Sequence, residues 1–366
     1  VSFSCGIVGL PNAGKSTLFN ALTRAHAEVA GYPFTTLERN VGITMLPDPR
    51  LLMARRFGGS ARATPTSIRV VDIAGLVRGA SRGEGLGNKF LGHIRDVDGI
   101  LHVVRCFDHP AAPHILGHAD PTRDVSIVET ELILADLAAL DRRRAKITAQ
   151  ARAGEPLARR ELGTLDELGA ALDRGQPARA AGLPEPVCGL ARELNLLTVK
   201  PVVYVANVPD PDQADSRSGS WLAELQELGA SQRSPVVPVQ ARVLADLGEM
   251  EEADRAELAG ALGASEDQLK ELIQAAYRAL DLITFFTANK NEARAWTLGQ
   301  GSTAMAAAGK VHTDFARGFI AAEVLAQEDL EAGLTPADAQ RLGRVRLEGR
   351  EYVVRDGDLL EFRFSI

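Results

Sequence analysis

The stretch "SCGIVGLPNAGKSTLFNALT", residues 4–23, decides the fold. Ser4 to Val8 is a short apolar strand, and Ser16 to Thr23 has helical spacing with Leu18, Phe19 and Leu22 available for packing. Between them, Gly9-Leu10-Pro11-Asn12-Ala13-Gly14-Lys15-Ser16 fits G-x-x-x-x-G-K-[ST] at every fixed position. Chance produces such a match on the order of once in a hundred chains of this length. The strand before and the helix after lower those odds. The glycines let backbone N–H groups wrap a phosphate chain, and the helix N-terminus adds a favourable field. Asn12, Ala13, Gly14, Lys15, Ser16 and Thr17 are the expected phosphate-binding residues. Lys15 is expected on β- and γ-phosphate oxygens, and the Ser16 hydroxyl on Mg²⁺.

A second element follows at the spacing a nucleotide switch needs. Asp72-Ile73-Ala74-Gly75 leaves the apolar strand Ser67 to Val71. The Asp72 carboxylate is placed to hold Mg²⁺ through water, and Gly75 to offer its N–H to a γ-phosphate. Between the two motifs lies "YPFTT". Thr36, in preference to Thr35, is the expected switch threonine on Mg²⁺. The alternative is a plain loop into the strand Val41 to Leu46. Where Ras-like switches carry a water-orienting Gln, this chain has Leu76, which can neither donate nor accept. Hydrolysis is therefore very slow, or another group positions the water. The glycine-rich segment 77–90 reads as a nucleotide-ordered switch.

The bulk composition restricts the function classes. The chain has 366 residues, enough for two or three domains. Its net charge of −7 argues against broad nonspecific nucleic-acid binding. Cys5, Cys106 and Cys188 are odd in number and far apart, so neither a disulfide framework nor a zinc site is indicated, and a reducing cytoplasm fits. No apolar run reaches membrane-spanning length, and no signal peptide is expected before Gly9.

The remaining texture divides the chain. Residues 1–120 are expected to form the first part of a nucleotide-binding domain. Residues 121–195 read as an inserted helical hairpin: Ile133, Leu137, Leu140 and Ile147 share one helix face, and Gly154-Glu155-Pro156 turns the chain into a second helix. Arg142-Arg143-Arg144 touches RNA or forms a solvated, balanced face. Residues 196–281 re-enter the nucleotide domain with strands "PVVYVAN" and "PVVPVQ" around a helix from Trp221 to Leu228. From 282 to 366 short β-like runs dominate, with Asp356-Gly357-Asp358 as a turn between the last two. Arg341, Arg344, Arg346, Arg350 and Arg355 are close in sequence and form a candidate rRNA or tRNA patch, interleaved with Glu348 and Glu351. The fold class is α/β.

Together with "YPFTT", "DIAGLVRGASRGEGLGNKFLGHIR", "VVRCF", "LDLITFFTANKNEARAWT", "AAGKVHTDFARGFIAAEV" and "GREYVVRDGDLLEFRFSI", the phosphate-loop stretch resembles the YchF / Obg-like ATPase family along essentially the whole chain. The resemblance implies a G-domain-like P-loop NTPase sheet with an inserted α-helical hairpin and a C-terminal TGS domain of ubiquitin-like β-grasp shape. It implies slow hydrolysis of ATP, often in preference to GTP, and association with ribosomes. Leu76 is normal for that family. His114 takes the water-positioning role by the resemblance. By sequence physics alone it is one of seven histidines, in an exposed loop. The resemblance also matches Asn12 to an asparagine tied to potassium-dependent hydrolysis.

Base recognition rests on Asn207-Val208-Pro209-Asp210, which lacks the lysine of Asn-Lys-x-Asp. Asn207 can meet N7 with N6 of adenine, or N7 and O6 of guanine. A carboxylate accepting the two guanine donors discriminates by about 10⁴-fold. The family usually has Glu at position 210, so Asp210 reopens GTP, while Val208 argues against it. Asp210 is otherwise a solvated turn aspartate. Gln240-Ala241 stands where relatives place Ser-Ala, whose backbone helps read the base. The expected function is a ribosome-associated, Mg²⁺-dependent switch that binds and slowly hydrolyses ATP, with GTP as the alternative. A nucleotide-gated binding protein with incidental hydrolysis is the second reading. A small-molecule kinase with the helical insert as lid is the third.

Overall fold

The structure, a computed structural model, describes residues 3–24, 40–73, 86–110, 112–210, 217–250, 254–255, 259, 265 and 267–365. Among these, contacts divide the chain into two compact units. One holds Ile43–Ile68 and Leu280–Ile366, and the other holds Phe3–Gly42 and Arg69–Ala279.

The nucleotide-type sheet has six strands: β1 (Ser4–Val8), β2 (Val41–Met45), β4 (Ser67–Asp72), β5 (Gly99–Arg105), β6 (Val202–Asn207) and β7 (Val236–Val239), in the order β2-β4-β1-β5-β6-β7. The pairings of β1 with β4 and β5, of β5 with β6 and of β6 with β7 are all parallel. Every residue of β1, β5 and β6 is buried. Helices on both faces of a parallel sheet demand such continuous apolar strands. Ile7 pairs with Asp72 and Val8 with His102. The carboxyl ends of β1, β4 and β5 therefore lie side by side, where open α/β sheets bind ligands. Helices α1 (Lys15–Arg24), α3 (Leu86–Arg95), α7 (Ser218–Ser231) and α8 (Ala241–Leu247) belong to this unit. Its core joins Val8, Ile73, Ile94, Val104, Val128 and Leu225.

The helical insert forms as its periodicity requires. Helix α4 (Pro121–Arg152) opens with Asp120 as N-cap, which accepts from the Arg123 N–H at 3.0 Å, and with Pro121 in the first turn. Gly154, at φ +95°, turns the chain into α5 (Pro156–Asp173). Ile133, Leu140 and Ile147 are buried against Leu165, Leu168 and Leu172, with Leu137 packed beside them. The arginine run faces carboxylates: Arg143 bonds Glu161, and Arg144 bonds Asp141 and Asp166. That is the balanced face rather than a free basic one.

The other unit holds a mixed sheet of β3 (Arg62–Thr64), β8 (Leu282–Ala288), β9 (Glu292–Gly299), β10 (Phe319–Leu325), β11 (Arg346–Glu348) and β12 (Leu359–Phe364), in the order β11-β10-β12-β8-β9-β3. The β8–β9 hairpin is antiparallel, β12 runs parallel to β8, and β10 is antiparallel to β12. A helix, Ala304–Val311, packs Ala304, Ala307 and Ala308 onto Phe285 and Phe362. This is the β-grasp arrangement. Two features differ from the sequence reading. Residues 43–68, expected within the nucleotide domain, join this unit. Leu51 and Ala54 of α2 (Arg50–Gly58) pack against Phe286, Ala293 and Ala295, and β3 adds beside β9 with Arg62 opposite Glu292. The turn at 356–358 does not join a hairpin: β11 ends at Glu348 and pairs with β10, and between it and the turn Val353 makes an isolated bridge, to Thr303. Instead Asp356 accepts from the Thr284 N–H at 2.8 Å, and Asp358 from the Arg355 N–H at 2.9 Å and the Tyr352 hydroxyl at 2.8 Å. Of the clustered arginines, Arg341 pairs with Asp338, Arg344 with Asp329 and Arg346 with Glu348.

Candidate functional site: a phosphate loop and its neighbours

The loop between β1 and α1 takes a backbone that side chains resist. Gly9 has φ +150° and Gly14 φ +100°. A Cβ on Gly14 would lie 2.3 Å from Asn207 Nδ2, and one on Gly9 2.4 Å from the Val103 carbonyl oxygen. Both positions therefore need glycine for conformation and for space. Asn12 also adopts positive φ, +63°, which asparagine tolerates better than most residues. Lys15 is buried and donates from Nζ to the Leu10 carbonyl at 2.8 Å. Burial lowers its pKa, and the Asp72 charge opposes that. Ser16 Oγ donates to Asp72 Oδ2 at 3.0 Å. Among the described residues, Asp72 Oδ1 is buried without a partner. The structure thus brings Lys15, Ser16 and Asp72 together at the strand ends. Thr36, Gly75 and Leu76 lie outside the described residues.

Beside the loop is a cavity of about 260 Å³ lined by Asn12, Gly14 and Thr17, and by Asn207, Val208 and Asp210. Arg105, Phe107 and Arg242 also line it, and none of these was expected from the sequence. Asn207 is buried; its amide nitrogen donates to the Ala13 carbonyl at 2.9 Å and its oxygen accepts from the Ala241 N–H at 3.4 Å. It braces the phosphate loop against the β7–α8 junction. Gln240 exchanges hydrogen bonds with Gln268 at 3.0 and 3.1 Å, so its side chain is turned onto the helix Asp267–Ala279.

Arg105 is 1% exposed. It donates to the carbonyls of Phe107 at 2.8 Å, Ala112 at 2.6 Å and Asn12 at 3.4 Å, and stacks on Phe107 with its centre 4.5 Å from the ring. It ties the loop after β5 to the phosphate loop. Burial lowers its pKa. The one sequence signal was an arginine ending a strand that is apolar but for His102.

His114 is buried, not exposed as a loop histidine would be. Its Nε2 lies 2.7 Å from Asp124 Oδ2, and its Nδ1 accepts from the Leu116 N–H at 3.1 Å. Burial raises the Asp124 pKa, while His114 and Arg123 pull it down. His114 is not among the residues lining the cavity. The preceding residue is held to the phosphate loop: Asn12 Nδ2 donates to the Pro113 carbonyl at 3.3 Å.

A parallel sheet with a phosphate loop at its carboxyl edge, a buried lysine and a facing Ser–Asp pair defines a P-loop NTPase of the G-domain class. Residues 4–132 match a family model described as "50S ribosome-binding GTPase", and residues 282–365 match the YchF-GTPase C-terminal model, described as a "Protein of unknown function". The chain is 44% identical over 366 residues to the "Ribosome-binding ATPase YchF" of Bacillus subtilis, covering 100% of both chains. It is 43% identical to that of Haemophilus influenzae over the same span and coverage. A solved structure, the Schizosaccharomyces pombe YchF GTPase, superposes with a TM-score of 0.87 at 31% identity, covering 99% of this chain and 98% of that one. The chain belongs to the YchF family.

Proposed function

We propose that this chain is an NTP-hydrolysing switch that prefers ATP to GTP and acts on the ribosome. The observation that carries the nucleotide reading is the Ser16–Asp72 contact at 3.0 Å beside a loop with a buried lysine. The same pair fits Mg²⁺. Among the described residues Asp72 Oδ1 is buried and unpartnered, and Ser16 adds a second hard oxygen. Among the described residues no group of three His, Cys, Asp or Glu forms a metal cage. Mg²⁺ held by few protein oxygens, with phosphates and water completing its shell, suits that inventory. When bound, it neutralises charge on the β- and γ-phosphates. Lys15 turns from the Leu10 carbonyl to those oxygens. Thr36 and Gly75 complete the triphosphate contacts, and His114 orients the attacking water once it leaves its present partners. Asn12 is the proposed potassium ligand, checked by faster turnover in potassium than in sodium.

The ribosomal partner is carried over from the names of the relatives, and a cytoplasmic location follows from it. Among the described residues no helix is long and apolar enough to cross a membrane. Co-sedimentation with ribosomes in ATP tests the partner.

Phe107 and Val208 supply apolar walls for a purine, and no lysine stands at position 208. Asp210 also lines the cavity, which favours GTP as the second reading. Nucleotide-free protein titrated by calorimetry in Mg²⁺ and K⁺ is expected to bind ATP about tenfold more tightly than GTP, on the order of 1.4 kcal/mol. Asp210→Ala is expected to leave ATP affinity within about twofold, because adenine offers that carboxylate no donor pair. Tighter GTP binding that Asp210→Ala abolishes would make the chain a guanine switch.

A further inference from the structure

His114 has no ring atom left for water. The Leu116 N–H points at Nδ1, so that nitrogen carries the lone pair. The neutral ring then bears its proton on Nε2, which donates to Asp124 Oδ2 at 2.7 Å. The side chains of His114 and Asp124 are 2% and 5% exposed. A carboxylate that orients a catalytic histidine leaves its other nitrogen facing the reactants. Here the other nitrogen faces a backbone amide.

Asp124 stands on a fixed post. It lies in the first turn of α4, below the Asp120 cap. Its neighbours Val125, Val128 and Leu132 are part of the central core. Arg123 brackets it, donating to Asp124 Oδ1 at 3.2 Å and to the His118 carbonyl at 2.7 Å. On the side away from α4, the loop is tied to the phosphate loop by Asn12 on Pro113 at 3.3 Å and to the end of β5 by Arg105 on Ala112 at 2.6 Å, and it closes on itself through the Gly117 N–H on the His114 carbonyl at 3.0 Å. Because Nε2 is bonded to Asp124 of α4, His114 can reach a water elsewhere only by breaking that bond.

We propose that Asp124 is a latch: it holds His114 in a retracted, catalytically silent position, and its release sets the rate of hydrolysis. Asp124 is a positioning residue that acts through His114, and the proposal rests on the water-orienting role given to His114 above. The two retaining groups sit in different elements. Asn12 belongs to the phosphate loop, so a nucleotide that engages Asn12 withdraws one tie. The latch itself remains, and turnover is scaled by the small fraction of molecules in which it is open.

The test compares wild type, Asp124→Asn, His114→Ala and the double variant in steady-state ATP turnover. An amide in place of the carboxylate keeps the shape and removes the charge from the hydrogen bond. Such bonds lose about half their strength when neutral, so kcat is expected to rise about tenfold. KM is expected to stay within about twofold, since the latch touches no nucleotide-lining group. The rise must vanish in the double variant. His114→Ala alone is expected to lower kcat by about a hundredfold. A fall or no change in kcat for Asp124→Asn, with His114→Ala still impaired, overturns the latch and leaves the role of His114 standing. Unimpaired His114→Ala overturns both. Should Asp124→Asn fail to fold, ¹⁵N-histidine NMR of the wild-type, nucleotide-free protein decides. His114 must show the Nε2–H tautomer with a strongly deshielded proton, and the other tautomer or a rapidly exchanging ring sinks the proposal.

Discussion

Lys15→Met is expected to weaken ATP binding by roughly a thousandfold while leaving the nucleotide-free protein at least as stable as wild type. The two halves have one cause. Lys15 is buried with its ammonium on the Leu10 carbonyl, and burial lowers its pKa. A base whose folded pKa is depressed opposes folding while it is charged. The opposition is full below the folded pKa and fades as pH rises toward the unfolded value. At neutral pH the charge is thus a burden on the empty fold, kept for the phosphates. Methionine preserves the apolar stem and removes the burden. It also removes the cation that meets the β- and γ-oxygens. Truncating one side of a buried charge pair costs 2–5 kcal/mol, and about 4 kcal/mol corresponds to the thousandfold loss. Calorimetry reads the affinity and a thermal melt reads the stability. Affinity within tenfold of wild type would remove Lys15 from the phosphate site. A large drop in melting temperature would make it a structural residue.

The phosphate loop was legible because its constraints are local. Gly9 and Gly14 are needed for backbone angles and for clearance, and both needs are written in eight consecutive residues. The hairpin was legible for a similar reason: Ile133, Leu140 and Ile147 repeat on one face, and that face is the one buried. Sequence pattern failed where a partner is distant. Nothing near Thr64 announces that its hydroxyl reaches Glu292, 228 positions away, yet such pairing moves residues 43–68 into the other unit. Asp124 was invisible for the opposite reason. An acidic residue in a first helical turn is ordinary, since it complements the helix dipole, so its bond to His114 left no mark. Asp356 and Asp358 read as turn formers and are, but their carboxylates bind backbone N–H groups and the turn joins no hairpin. Asn207 was legible as a site residue by its place after a buried strand. What it does there, bridging Ala13 and Ala241, depends on two loops that only the folded sheet brings together.

Arg179→Met is expected to destabilise the protein by about 3–5 kcal/mol, the usual result of leaving one member of a buried ion pair behind. Arg179 lies between α5 and α6 (Glu185–Glu193), and its Nη2 contacts Glu129 of α4, the Tyr204 hydroxyl at 3.2 Å and Gln232 at 2.9 Å. The Tyr204 hydroxyl sits 2.8 Å from Glu129 and 2.6 Å from Gln232, and Gln232 donates to Glu129 at 2.9 Å. The Arg179 and Glu129 side chains are only 9% and 10% exposed. These four groups join the base of the helical insert to β6, the strand that ends in Asn207. Without Arg179, the Glu129 carboxylate is left in a site with little water, with only a hydroxyl and an amide as partners. Replacing both partners by apolar groups is much less damaging than removing one. Arg179→Met with Glu129→Leu should therefore recover more than half of the loss. The comparison is made in denaturant, with the midpoint as readout. If the single variant loses less than about 1 kcal/mol, the network behaves as an exposed pair and does not anchor the insert. If the double variant is as damaged as the single, the loss comes from packing around the guanidinium stem, not from the stranded carboxylate.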